Sequence, residues 1–191
     1  MPEKKSLVNL MQNKIISISN YAFTRGDSFL IDANIWIFLY GRQDPRDRRI
    51  EIYSNALKEI LKNSCQIFVD VLVLSEFINR YARIEHKFAK TEGCPENFKD
   101  FRNSASFQPV ARGIAAACRS ILKNCMRTES LFEQVDIEAV LNDYEAQHRD
   151  FNDQILSGIC REKKLQMISD DSDFRNLEIN LLTANKKLLS R

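Results

Sequence analysis

Short apolar runs that stop at an acid alternate along this chain with longer stretches whose apolar residues stand three and four apart. The run SFLI, Ser28–Ile31, stops at Asp32 and passes through Asn34 into the apolar IWIFLY, which predicts a strand followed at once by a helix. In DPRDRRIEIYSNALKEILKN the positions Ile50, Tyr53, Leu57, Ile60 and Leu61 follow helical spacing, with Asp44 expected as N-cap and Pro45 at the first helical position. Gln66–Val69 predicts a second strand that feeds the helix VLVLSEFINRYARIEHKF. Turn formers gather in TEGCPENFKDFRNS, residues 91–104, which predicts a loop. Helices are expected within 105–127, within 136–147 and from about Asp150 to Lys163, then a third strand at Leu165–Ile168 ending in SDDSD, and a fourth at INLL.

Alternation of strands with helices predicts an α/β fold: a three-layer α/β/α sandwich around a short, mainly parallel sheet, with extra helices. One domain is expected over residues 1–191, with residues 1–26 as an N-terminal helical extension and about 91–131 as a helical insertion. In parallel sheets ligands bind at the carboxyl ends of the strands, so the residues that close each strand are the first to examine.

Asp32 closes the first strand, and Asp170 and Asp171 close the third. Glu76 and Asp153 fall inside largely apolar helices, Glu76 between Leu74 and Phe77. An acid flanked by apolar residues on a buried face requires compensation of its charge. Each acid also has an ordinary role open to it. Asp32 can cap the following helix, Glu76 can lie on a solvent face with Arg80 and Arg83, Asp150 can cap a helix with Asp153 in its first turn, and Asp171 can cap the turn DSDF.

Taken together, FLIDANIW, LVLSEF, DFNDQILSGI and ISDDSDF resemble, in order, the four motifs of the PIN-domain nucleases, the family that includes VapC-like toxins. The resemblance covers roughly residues 28–90 and 135–183. It implies a PIN-like fold with Asp32, Glu76, Asp153 and Asp171 as an acidic quartet, Asn34 and Ser169 as groups that orient the carboxylates, and Asp173 as an additional acid. Asp150, three residues before Asp153, shares its helix face and is a further candidate ligand or cap. The resemblance further implies an endoribonuclease leaving 5′-phosphate and 3′-hydroxyl ends, an RNA substrate, a homodimer and, in a toxin–antitoxin pair, an antitoxin partner.

Two carboxylates about 4 Å apart repel by roughly 4 kcal/mol even at an effective dielectric near 20, so a converging quartet needs protons or a cation. Oxygen-only ligands select Mg²⁺ or Mn²⁺. No GxxxxGK[ST] phosphate loop occurs, and the two histidines, His86 and His148, offer no zinc spacing and no nucleophile to activate. The expectation is metal-dependent hydrolysis of RNA, with Asp32, Asp153 and Asp171 as metal ligands and Arg80 and Arg83 as RNA contacts. A catalytically silent RNA-binding or protein-interaction module with the same fold is the alternative.

Composition narrows this further. With 28 Lys+Arg against 26 Asp+Glu the net charge is only +2, which excludes a polycation that binds nucleic acid by bulk charge. The five cysteines form no CxxC pair and read as reduced thiols, and no stretch is long and apolar enough for a bilayer or a secretory signal, so a cytoplasmic protein is expected. Trp36, between Ile35 and Ile37, reads as core.

Overall fold

A computed structural model describes residues 14–130 and 132–190. Six parallel strands form one sheet in the order β1-β6-β5-β2-β3-β4: β1 Ile15–Ser17, β2 Ser28–Ile31, β3 Gln66–Val69, β4 Met126–Arg127, β5 Gln166–Ile168 and β6 Leu181–Thr183. Among the described residues the helices are α1 Ala33–Tyr40, α2 Arg48–Lys62, α3 Val71–Ala89, α4 Phe98–Arg102, α5 Phe107–Asn124, α6 Ile137–Glu145, α7 Phe151–Lys163 and α8 Lys186–Leu189. Neighbouring residues of a strand point to opposite faces, yet Phe29, Leu30 and Ile31 are all buried, as are Leu181, Leu182 and Thr183. Both faces of the sheet are therefore covered, and the arrangement fits a three-layer α/β/α sandwich.

The strand order reverses beside β2. Its next strand in sequence, β3, lies on one side, whereas β5, arriving much later in the chain, lies on the other in parallel register, with Ile31 opposite Ile168. The core beneath is filled by Phe29, Trp36, Tyr53, Phe77 and Phe174, and the Trp36 indole donates to the Ile31 carbonyl at 3.1 Å, anchoring α1 to the strand it follows.

Several expectations are corrected. The described part of the N-terminal extension is not α-helical: β1 pairs with β6, Ile15 opposite Leu181, and a single 3-10 turn follows at Ile18–Asn20. The β-branched Ile15 and Ile16 suit a pleated strand, and the open edge of β6 supplies the partner. Residues 1–13 lie outside the described residues. The loop predicted at 91–104 contains α4, because Asn97 caps it through Lys99 N at 2.8 Å and Phe101 buries its ring against His86, centroids 4.8 Å apart. The helical insertion at about 91–131 ends in a strand, β4, which extends the sheet beyond β3. Helix α2 starts after Asp47 and not after Asp44. Asp47 N donates to Asp44 O at 2.9 Å, so Pro45 lies in a turn, and the Asp47 carboxylate caps Arg49 N at 3.0 Å.

Among the described residues no helix is long and apolar enough to cross a membrane. All five cysteines are free thiols, and burial pushes Cys125 up to about 12 and Cys160 higher still, so neither is a ready nucleophile.

Candidate active site

At the carboxyl edge of the sheet, where β2 and β5 run side by side, the backbone ladder continues one residue past each strand, with Asp32 N donating to Ile168 O at 3.0 Å. Asp32 is the N-cap of α1. One carboxylate oxygen accepts from Ala33 N at 2.6 Å, and the other accepts from the Ser169 hydroxyl at 2.7 Å and from the Asn34 amide. The same Asn34 nitrogen donates to Ser169 Oγ at 2.9 Å, Asn34 Oδ1 accepts from Asp170 N at 3.2 Å, and Ser169 Oγ accepts from Asp171 N at 3.0 Å. Asn34 and Ser169 thus tie the ends of β2 and β5 together and fix the direction in which the Asp32 carboxylate points.

Asp32 is 5% exposed, and its pKa is pushed up to about 7. Burial is the largest cause, and the charges of Glu76 and Asp171 add to it, against the hydrogen bonds from Ser169 and Ala33. Asp153, in the first turn of α7, is pushed up to about 8, again by burial first and then by the charges of Asp32, Asp150, Asp171 and Asp173. The sheet and α7 therefore bring all six candidate acids into one electrostatic neighbourhood. Among the described residues no lysine or arginine forms an ion pair with Asp32 or Asp153.

The remaining acids occupy distinct positions. Glu76 sits in the second turn of α3, partly exposed, and Arg80 binds it at 2.9 Å, so this expected RNA contact serves first as a counter-charge at the rim. Arg83 lies farther along α3 over the Phe98 ring, 4.6 Å from its centroid. Asp150 caps α7 through Asn152 N at 2.8 Å, and Asp171 caps the turn Ser172–Asn176 through Asp173 N at 3.1 Å.

Sequence reasoning missed three residues here. Asp170 is gripped by Arg49 at 2.7 Å and by the Tyr53 hydroxyl at 2.7 Å, while Tyr53 accepts from Ala184 N at 2.9 Å. Arg49 and Tyr53 are four residues apart on one face of α2, a spacing visible in the sequence, but the acid they share comes from β5. The third is Asp70, which closes β3 as Asp32 closes β2 and caps α3 through Leu72 N at 2.8 Å, its other oxygen buried with no hydrogen-bond partner among the described residues. The same signal, an acid ending an apolar strand, stands in QIFVD. Tyr53→Phe leaves both Asp170 Oδ1 and Ala184 N short of a partner and is expected to lower unfolding stability by about 1–3 kcal/mol, measured by urea denaturation.

Among the described residues no three His, Cys, Asp or Glu side chains stand close enough to grip a metal ion outright. The donor set is nonetheless all oxygen, and an ion such as Mg²⁺ is held through one or two carboxylates, with water and substrate phosphate completing its shell. Asp32, buried, and Asp153, half-buried, repel each other and have no ion-pair partner among the described residues, which fits that demand. The chain matches no protein-family model and no curated sequence.

Proposed function

We propose that this protein is a PIN-like endoribonuclease that hydrolyses RNA phosphodiester bonds with the help of Mg²⁺ or Mn²⁺. The observation that carries the reading is the convergence of Asp32, Glu76, Asp153 and Asp171 at the reversal point of a parallel sheet, with two of them held near neutral pKa by burial and mutual repulsion. An arrangement that raises carboxylate pKa values this far costs folding stability, and a silent binding module has no use for that cost.

Asp32 and Asp153 would hold the ion, with Asp171 reaching it through water. When bound, a divalent ion lowers the pKa of an attacking water and offsets the charge that develops on the phosphate. Asn34 and Ser169 keep the Asp32 carboxylate aimed into the site through the bonds described above. Glu76 would position the attacking water, and Arg80, held beside Glu76 at 2.9 Å, would meet the phosphate.

The test is incubation of the purified protein with 5′-labelled single-stranded RNA in Mn²⁺ or Mg²⁺. Cleavage to products with 5′-phosphate and 3′-hydroxyl ends is expected, stopping when the metal is chelated. Cleavage that persists in chelator overturns the metal-assisted reading.

A further inference from the structure

Beside the acids lies an open pocket of about 580 Å³, walled by the end of α6, the link to α7 and the turn after β5. Its residues include Tyr144, Gln147 and His148 on one side and Asp150 and Asp173 on the other. Asp150 and Asp173 are the same acids whose charges bear on Asp153, so the pocket adjoins the candidate site.

The pocket is held in shape by the backbone. Helix α6 ends with Gln147 in the left-handed region, φ 55°, where Gln147 N donates to Tyr144 O at 2.9 Å and His148 N donates to Asp143 O at 3.1 Å. This double bond pattern fixes the chain as it leaves the helix and sets His148 in place. Arg149 then ties the two walls together, donating to the Asp143 carboxylate at 3.2 Å and to the Asn176 carbonyl at 3.2 Å.

Its chemistry selects one part of a nucleotide. Glu145, Asp150 and Asp173 line it against one arginine, Arg149, whose guanidinium is already engaged by Asp143 and the Asn176 carbonyl, so a phosphate is disfavoured, whereas the amino group of a base is a good donor to such acceptors. Tyr144 is 55% exposed, leaving a flat aromatic face free to stack. The volume lies within the roughly 300–1,000 Å³ of small-ligand pockets. Building on the nuclease reading, we propose that this pocket takes the nucleobase next to the scissile phosphate of single-stranded RNA, stacking it on Tyr144 and favouring adenine, cytosine or guanine, which carry an amino group, over uracil.

Two measurements test the proposal. Fluorescence anisotropy with labelled oligoadenylate and oligouridylate, in an Asp32→Asn background that prevents turnover, is expected to show tighter binding of oligoadenylate. Tyr144→Ala in that background raises its Kd about tenfold, while Tyr144→Phe leaves it within about twofold. In the protein with Asp32 intact, Tyr144→Ala raises KM for oligoadenylate cleavage by a similar factor with kcat within about threefold. If RNA is cleaved but Tyr144→Ala changes neither Kd nor KM, the pocket proposal falls and the nuclease reading stands. If no RNA is cleaved yet binding depends on Tyr144, the pocket stands and the nuclease reading falls. Equal affinity for the two oligonucleotides overturns the preference for amino bases.

Discussion

On the nuclease reading, Asp32→Asn is expected to lower RNA cleavage by about a thousandfold or more, with the fold intact. Asparagine has nearly the shape of aspartate, and its carbonyl oxygen can still accept the Ala33 N–H that starts α1. What it removes is the buried negative charge at the centre of the acidic group. A charge that anchors a divalent ion contributes several kcal/mol to stabilising the transition state, and each 1.4 kcal/mol is a factor of ten in rate. On the other side of the ledger, the Asn34 amide and the Ser169 hydroxyl both lose the oxygen they donate to, a change on the order of 1–3 kcal/mol in stability. Initial rates on labelled RNA at pH 8, with circular dichroism to confirm the fold, check both parts. A variant that folds and retains a tenth of the activity would remove Asp32 from the centre of the chemistry.

The capping and the site readings of these acids turn out to be one arrangement. Asp32 caps α1, Asp150 caps α7 with Asp153 in its first turn, and Asp171 caps the turn after β5. Helix amino ends carry partial positive charge, which stabilises nearby anions by a few tenths of a kcal/mol to about 1 kcal/mol each. That is enough to let acids collect there, and too little to cancel their mutual repulsion and the burial of Asp32. The raised pKa values of Asp32 and Asp153 are what remains uncompensated.

How much of this was legible in the sequence depends on whether a feature is local. Strands β2 and β3 are consecutive apolar residues ended by an acid, a pattern that exists without reference to the rest of the chain, and both were predicted with the bounds observed. Strands β1 and β4, three and two residues long, are strands because β6 and β3 offer them an edge, and no local period reveals that. The start of α2 was misplaced because Asp44-Pro45 and Asp47 both satisfy the local rules for a helix start, and only the turn between them decides. The order of the acids was readable because parallel topology puts strand ends on one edge of the sheet. Which of Asp170 and Asp171 is neutralised was not readable, since Arg49 and Tyr53 reach Asp170 from more than a hundred residues away in the chain. Nor was the pocket beside Tyr144, which exists only because Arg149 joins α6 to the turn after β5.

In the absence of metal, the protein is expected to lose stability as the pH rises from about 6 to 9, and Asp153→Asn should abolish much of that loss. Asp153 titrates at about 8 and Asp32 at about 7 in the folded protein, against an ordinary value of 3.8. Between 3.8 and these values the folded state binds more protons than the unfolded state, so stability falls with pH, and the protection present at low pH is gone once both groups ionise. Asp44 and Asp47, whose pKa values are lowered by Arg46 and Arg49, contribute with the opposite sign, but below the ordinary carboxylate range and therefore outside this window. The Asp153 carboxylate makes no hydrogen bond to any described residue, so Asn at that position gives up no partner; above pH 8 the variant should be more stable than the parent by on the order of 2 kcal/mol. Mn²⁺ should act in the reverse direction. An ion held by the ionised carboxylates, as proposed, would give a rise in Tm that grows with pH in the parent and shrinks in the variant. Thermal unfolding followed by fluorescence at pH 6, 7, 8 and 9, in chelator and then in Mn²⁺, measures each of these. Parallel Tm curves for parent and Asp153→Asn in chelator would mean that Asp153 is already ionised at pH 6, and the acidic centre with raised carboxylate pKa values would have to be abandoned.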